Sequence, residues 1–290
     1  MKTTLRTAAC WLALSVLAGC TGMTRLAYDN ADVMVRTAAH DYFDLDTAQM
    51  TELQTRFERL QQWHRTNELP LYAAFLRDTN QRFTKGLAKD DVTWGFSTMR
   101  AHYRDLAARA AEEAAPVLAT LEPEQIAVLE KKFADNDAKY TKNFLQADEK
   151  KRVRAQTRRM LDSLRHWTGN MTREQEQRVE EFVRAHQRHA ALRFEDRQRW
   201  QREALALLHQ RLPAKELAPR LAQLFREPES RRSEEFRLQD RRWQDDFAQL
   251  MVDLSGTLSR TQRAQVAERL EGYARDCAAL AARPAKAAQS

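Results

Sequence analysis

Turn-forming residues are scarce in this chain. Its 290 residues include seven glycines and seven prolines, well below average usage for either. Little backbone can therefore turn sharply. No stretch alternates Val, Ile or Thr with polar residues between turn formers, as half-buried strands do. Apolar runs of about 20 residues, the length that crosses a bilayer as a helix, are also missing. So are the short patterns that carry catalysis: there is no glycine-rich phosphate loop, no serine-nucleophile motif and no Cys–His arrangement. The acidic pairs Glu112–Glu113 and Asp245–Asp246 lie in charged helical stretches and need no catalytic role. What is abundant is Ala, Leu, Glu, Gln, Arg and Lys, all good helix formers. The expectation is an all-α protein that is not an enzyme and carries no cofactor.

The first twenty residues follow a separate logic. Lys2 and Arg6 precede a short apolar run from Thr7 to Ala18, and no acid occurs before Asp29. A basic start, a short apolar core and a small-residue end describe a secretory signal, here residues 1–19. Leu17-Ala18-Gly19-Cys20 resembles the lipobox of bacterial lipoproteins. That resemblance implies cleavage before Cys20, a diacylglycerol on its sulfur and further acylation, and several acyl chains hold far more firmly than one. Thr21 follows the cysteine where an aspartate would retain the protein at the inner membrane. The expected location is thus the periplasmic face of the outer membrane. Of three cysteines, Cys10 leaves with the signal and Cys20 carries lipid. Cys277 remains alone, which excludes an internal disulfide and leaves pairing between chains open.

The formal charge is +7, and the departure of Lys2 and Arg6 leaves the mature chain at +5. That is modest for the length and, with the periplasmic address, excludes nucleic acid as a partner. Anionic headgroups, lipopolysaccharide or acidic protein segments remain open.

A short motif occurs four times. Leu45-Asp46-Thr47-Ala48-Gln49 returns as Leu121-Glu122-Pro123-Glu124-Gln125, as Met171-Thr172-Arg173-Glu174-Gln175 and as Leu258-Ser259-Arg260-Thr261-Gln262. Eight positions after each opening residue stand Leu53, Leu129, Val179 and Val266; twelve after stand Phe57, Phe133, Val183 and Leu270. Asp46, Thr172 and Ser259 suit helix N-caps, and the glutamine three residues on can complete a capping box. Glu122 is a weaker cap, but Pro123 suits the first helical position. Each copy therefore opens an amphipathic helix, and helix-start chemistry accounts for every residue of it. The openings are 76 residues apart (45 to 121) and 87 apart (171 to 258), which suggests a duplicated helical half.

The Leu-Thr-x-x-Gln pattern, closest in Met171 to Gln175, resembles the LTxxQ superfamily that includes Spy and CpxP. That resemblance implies small periplasmic helical proteins that form curved dimers and act as ATP-independent chaperones or stress-signalling inhibitors, some of them zinc-binding. Asp41 to Gln49 and Trp63 to Pro70, together with the lipobox, resemble a family of proteobacterial lipoproteins. That second resemblance implies fold and location without an activity.

Helical periodicity runs over 27–42, 46–66, 69–85, 90–119, 123–166, 172–212, 214–226, 229–255 and 260–282. Residues 20–26 read as a lipidated tether, 27–166 and 167–282 as two helical halves, and 283–290 as a fraying tail. Helices over 123–166 and 172–212 would each run about 60 Å and pair through Thr168-Gly169-Asn170. The expected architecture is an elongated multi-helix bundle of two related halves with long antiparallel helices, able to form a homodimer.

Candidate sites are few. His186 and His189, three apart on one helix face, have metal-ligand spacing. With no third ligand near in sequence, they are expected to be solvated. Trp63-His64-Arg65 and His166-Trp167 put indoles near helix ends; they are expected to pack between helices, with an aromatic client-binding surface as the alternative. The basic run Lys150-Lys151-Arg152-Val153-Arg154 through Arg158-Arg159 is expected to spread around its helix as a solvated face, with a lipid-headgroup contact as the sharper alternative. The expected function is a non-enzymatic binding scaffold, Spy-like in holding unfolded clients. The alternatives are an assembly lipoprotein with one envelope partner and a metal sensor using His186 and His189.

Overall fold

The computed structural model describes residues 21–283, with side chains from residue 25. The signal segment, Cys20 and residues 284–290 lie outside the described residues. The described chain is an all-α multi-helix bundle. Its helices are α1 (Thr21–Asp29), α2 (Ala31–Phe43), α3 (Thr47–Trp63), α4 (Leu69–Lys85), α5 (Lys89–Leu118), α6 (Pro123–Phe144), α7 (Glu149–Thr168), α8 (Arg173–Ala185), α9 (Gln187–His209), α10 (Ala214–Arg226), α11 (Glu234–Thr257) and α12 (Arg260–Ala281). A π-helical turn, His64–Glu68, joins α3 to α4, and a 3-10 turn, Pro228–Arg231, precedes α11.

The π-turn has a local cause. Pro70 has no N–H to return to the preceding turn, so the ladder cannot continue in α register there. The Leu69 N–H instead reaches back five residues to His64 O. The widened turn lets the helix continue as α4 rather than end.

Several expected elements are corrected. The stretch read as a tether at 20–26 is helical from Thr21, because Arg25 Nε donates to Asp276 Oδ1 at 2.8 Å and ties α1 to α12. The two long helices are both interrupted. Residues 123–166 break at 145–148, where Asp148 caps α7 by accepting from Lys151 N. Residues 172–212 break at His186, whose backbone leaves the helical region (φ −112°, ψ 26°). The limbs still pair antiparallel: Tyr140 stacks on Phe194 with ring centres 5.2 Å apart, and Gln198 and Gln201 donate to Asp137. Their breaks fall at the same level. Arg152 joins them, donating to Gln146 O at 2.7 Å and to Gln187 Oε1 at 2.8 Å.

Three apolar clusters hold the helices together. Leu69, Ala73, Leu76 and Phe83 of α4 meet Val266, Leu270, Tyr273, Ala274, Cys277 and Leu280 of α12. Ala111 and Ala115 of α5 meet Leu217, Leu221 and Leu224 of α10, with Ile126, Leu129, Ala204 and Leu208 closing the sides. Val153 and Leu161 of α7 pack on Val179, Phe182 and Val183 of α8 and on Leu250 and Leu254 of α11. Each cluster takes residues from both 27–166 and 167–282, so neither half has a core of its own.

The order of elements repeats. A helix (α2, α7) leads into an interrupted motif helix (α3–α4, α8–α9), then a connection (α5, α10–α11), then a second motif helix of 22 residues (α6, α12). On this order the repeating sets of helices span 31–144 and 149–281. The later limb of each interrupted helix lies on the other repeat's second motif helix, α4 on α12 and α9 on α6. That exchange merges the cores.

Candidate functional site

The four motif copies meet in two pairs. Asp46, Thr172 and Ser259 cap their helices by accepting from the backbone N–H of Gln49, Gln175 and Gln262. In all four copies the glutamine Oε1 takes back the N–H of the residue three before it, at 2.9–3.0 Å. The amide nitrogen then does something a capping box does not require. Gln49 Nε2 donates to Gln125 Oε1 at 3.0 Å and Gln125 Nε2 donates to Gln49 Oε1 at 2.7 Å. Gln175 and Gln262 exchange the same two bonds at 3.4 and 3.2 Å. Each amide also reaches the carbonyl just before its partner's motif: Gln49 to Thr120 O, Gln125 to Asp44 O, Gln175 to Thr257 O and Gln262 to Asn170 O.

The result is two internal clasps, each joining two helix starts. Leu121 is 2% exposed and Gln175 1%, so these residues are committed inside the fold. The clasps come from different parts of the chain but share surroundings. Eleven positions beyond Gln125, Asn136 Nδ2 donates to Tyr42 OH of α2 at 2.9 Å. Eleven beyond Gln262, the Tyr273 hydroxyl meets His166 Nε2 of α7 at 2.7 Å. Trp167 packs edge-on against Tyr273 with ring centres 5.6 Å apart, so His166-Trp167 is half-buried packing against α12.

A second polar constellation surrounds the π-turn; of its residues, only His64 and Arg65 stood out in the sequence, and there as packing between helices. Four rings meet in succession across α1, the π-turn, α4 and α5: Tyr28 stacks on His64 at 5.7 Å, and His64–Tyr72 at 5.5 Å and Tyr72–His102 at 5.1 Å meet edge-on. Tyr28 OH and His64 Nδ1 lie 3.2 Å apart, and Glu68 Oε2 meets His102 Nδ1 at 3.1 Å. Arg65 and Glu68 are buried. Burial pushes the His64 imidazole down to about 4, so the ring is neutral at pH 7. Burial, then the Glu68 carboxylate, drives the Tyr72 hydroxyl far above its ordinary value. Cys277 lies beside this cluster, its thiol pushed up to about 11 by burial and then by Asp276. A buried thiol held protonated is a poor nucleophile, which opposes the disulfide between chains left open above. The spacing His64–Glu68–Tyr72, four and four, puts all three on one helix face and was the readable signal.

His186 and His189 are not solvated, which corrects the sequence expectation. Both are buried. His186 Nε2 lies 3.1 Å from Asp246 and His189 Nε2 3.0 Å from Asp240, while His189 stacks on Trp243 at 5.1 Å. Burial lowers both pKa values, against the opposing pull of the aspartates. The two rings thus serve different carboxylates rather than a shared point. Among the described residues no group of three His, Cys, Asp or Glu side chains is arranged to hold a metal. The two acidic pairs likewise sit in ion pairs: Glu113 with Arg109, and Asp245 with Lys89.

The basic run does not simply spread around α7. Lys150, Arg154, Arg158 and Arg165 line one groove with Arg184 of α8, while Arg152 and Arg159 turn to other partners. No helix among the described residues is long and apolar enough to cross a membrane.

An all-α chain with a repeated element order, its motif copies clasped in pairs and His186 and His189 paired with aspartates inside it, is a multi-helix bundle. It belongs to a family of unknown function, DUF6279, whose pattern matches residues 41–237. The match takes in Asp41–Gln49, Trp63–Pro70 and three motif copies; the fourth, on α12, lies beyond it. No curated protein and no solved structure matches the chain.

Proposed function

We propose that the protein is a non-enzymatic helical scaffold, lipid-anchored through Cys20 at the periplasmic face of the outer membrane, that binds one dedicated envelope protein. The observation that carries this reading is the fate of the motif. All four glutamines are used inside the fold, so the repeated element builds the body and leaves binding to the outer helix faces. Holding of many unfolded clients in the manner of Spy is the weaker reading. Exposed large apolar side chains are spread over α1, α2, α4, α5 and α11 instead of gathering on one helix. The docking of α1 onto α12 supports close anchoring, since a lipid on residue 20 would hold the body directly against the membrane.

Photo-crosslinking in cells from Leu71 and Leu238, which are 50% and 52% exposed, tests the proposal. One or two discrete adducts are expected. A broad ladder of adducts would instead favour client holding, and no adduct from either position would overturn partner binding on these faces.

A further inference from the structure

We propose that the groove between α7 and α8 binds a phosphate-bearing lipid headgroup. The groove encloses about 500 Å³ and is lined by Lys150, Arg154, Arg158 and Arg165 of α7 and by Arg184 and Glu180 of α8. Five cations thus face one acid, and that acid is already held: Arg184 Nη2 donates to Glu180 Oε1 at 2.7 Å. Arg165 is paired with Glu176 and Asp162. Lys150, Arg154 and Arg158 meet no carboxylate among the described residues. They follow each other at four-residue intervals, one turn apart on one face. The stripe from Lys150 to Arg165 is about 22 Å long at 1.5 Å per residue.

Beneath the cations runs a second stripe, Val153, Thr157 and Leu161, which forms the floor. Val153 is 2% exposed and Thr157 8%, and the Thr157 hydroxyl is buried without any hydrogen-bond partner. A helical threonine ordinarily bonds a carbonyl one turn back. An unsatisfied buried hydroxyl costs about 1–3 kcal/mol, and a ligand oxygen on the groove floor would supply its partner. Guanidinium groups match phosphate oxygens in bidentate geometry, and the apolar floor favours an anion carried on a hydrocarbon body over a free ion. This inference stands apart from the partner-binding role and does not rest on it.

Cosedimentation with vesicles tests it, using the chain from Thr21 to Ser290, which holds every described residue and no lipid. The vesicles are phosphatidylcholine alone or with one-fifth phosphatidic acid, and inorganic pyrophosphate and polyglutamate serve as soluble competitors. Binding to the phosphatidic acid vesicles is expected, at least tenfold weaker in Arg154→Glu/Arg158→Glu and several-fold weaker in Thr157→Val. Lys131→Glu/Lys139→Glu, an equal charge change on exposed positions of α6, should leave it unchanged. Far-UV circular dichroism confirms that each variant is folded. Equal loss in the two charge-reversed proteins would reduce the effect to general charge and overturn the site. Displacement by pyrophosphate at vesicle-like affinity would overturn the lipid source in favour of a free phosphate. Binding of polyglutamate with no vesicle binding would assign the groove to acidic protein segments and overturn the proposal.

Discussion

Replacing Gln175 by glutamate separates two accounts of the motif. A capping box is served equally well by Glu or Gln, because it needs an acceptor for the cap N–H. The clasp needs a donor as well. Gln175 Nε2 lies 3.2 Å from Thr257 O and 3.4 Å from Gln262 Oε1, and the residue is 1% exposed. Glutamate keeps the 3.0 Å bond from Thr172 N–H and loses the donations to Thr257 and Gln262. Each lost bond costs about 1 kcal/mol net, and each buried oxygen left facing another oxygen adds about 1–3 kcal/mol. The expected penalty is about 4–8 kcal/mol at pH 8, at least as large as for Gln175→Ala.

The penalty should also depend on pH. Burial without a cation raises the folded-state pKa of the introduced carboxyl. Below its unfolded value, near 4.3, it is protonated in both states and can donate once. The gap between variant and wild type therefore opens as pH rises from that value and levels off above the folded pKa. Urea denaturation followed by circular dichroism, on both proteins at several pH values, measures the gap. A Gln175→Glu protein within about 0.5 kcal/mol of wild type at pH 8 would refute the clasp as a stabilising device.

Two further outcomes follow from the same geometry. His64 is held at about 4 in the fold against about 6.5 unfolded, so the unfolded state binds more protons between those values. Stability should fall as pH drops from 6.5 toward 4, by up to about 3 kcal/mol from this ring; His64→Gln should flatten that slope, and an unchanged slope would assign it to other groups. Gly169→Ala should cost about 1–3 kcal/mol, because φ is +74° with ψ −148° and a Cβ would sit 2.7 Å from Gln265 Oε1. A neutral result in thermal unfolding would show that the turn relaxes.

Much of the local structure was legible because its causes are local. Asp46, Thr172, Ser259 and Pro123 mark helix starts by chemistry within one turn. Pro70 sits where the ladder changes register. Even the 145–148 break had a local sign in Asp148 as a cap, which the strong helical periodicity on either side obscured. The breaks and buried charges were less legible where distant residues decide them. His186 reads as a surface histidine until Asp246, sixty residues on, lies beside it. Arg25 reads as part of a tether until Asp276 takes it. Thr157 reads as one polar position in a basic run, and its significance rests on the groove formed with α8.

The sequence by itself determined an all-α chain, the positions of most helices and the fourfold recurrence of one motif, because periodicity and capping act over three to eight residues. The tertiary structure alone decided what the recurrence is for. Capping explains an acceptor at Gln49, Gln125, Gln175 and Gln262, and cannot say where four amide nitrogens point. Only with helix starts 76 and 87 residues apart brought face to face does each nitrogen find a carbonyl and a partner amide. The same packing turns the four glutamine amides inward, leaves the middle residues of each copy exposed, and leaves the basic groove of α7 and α8 open at the surface.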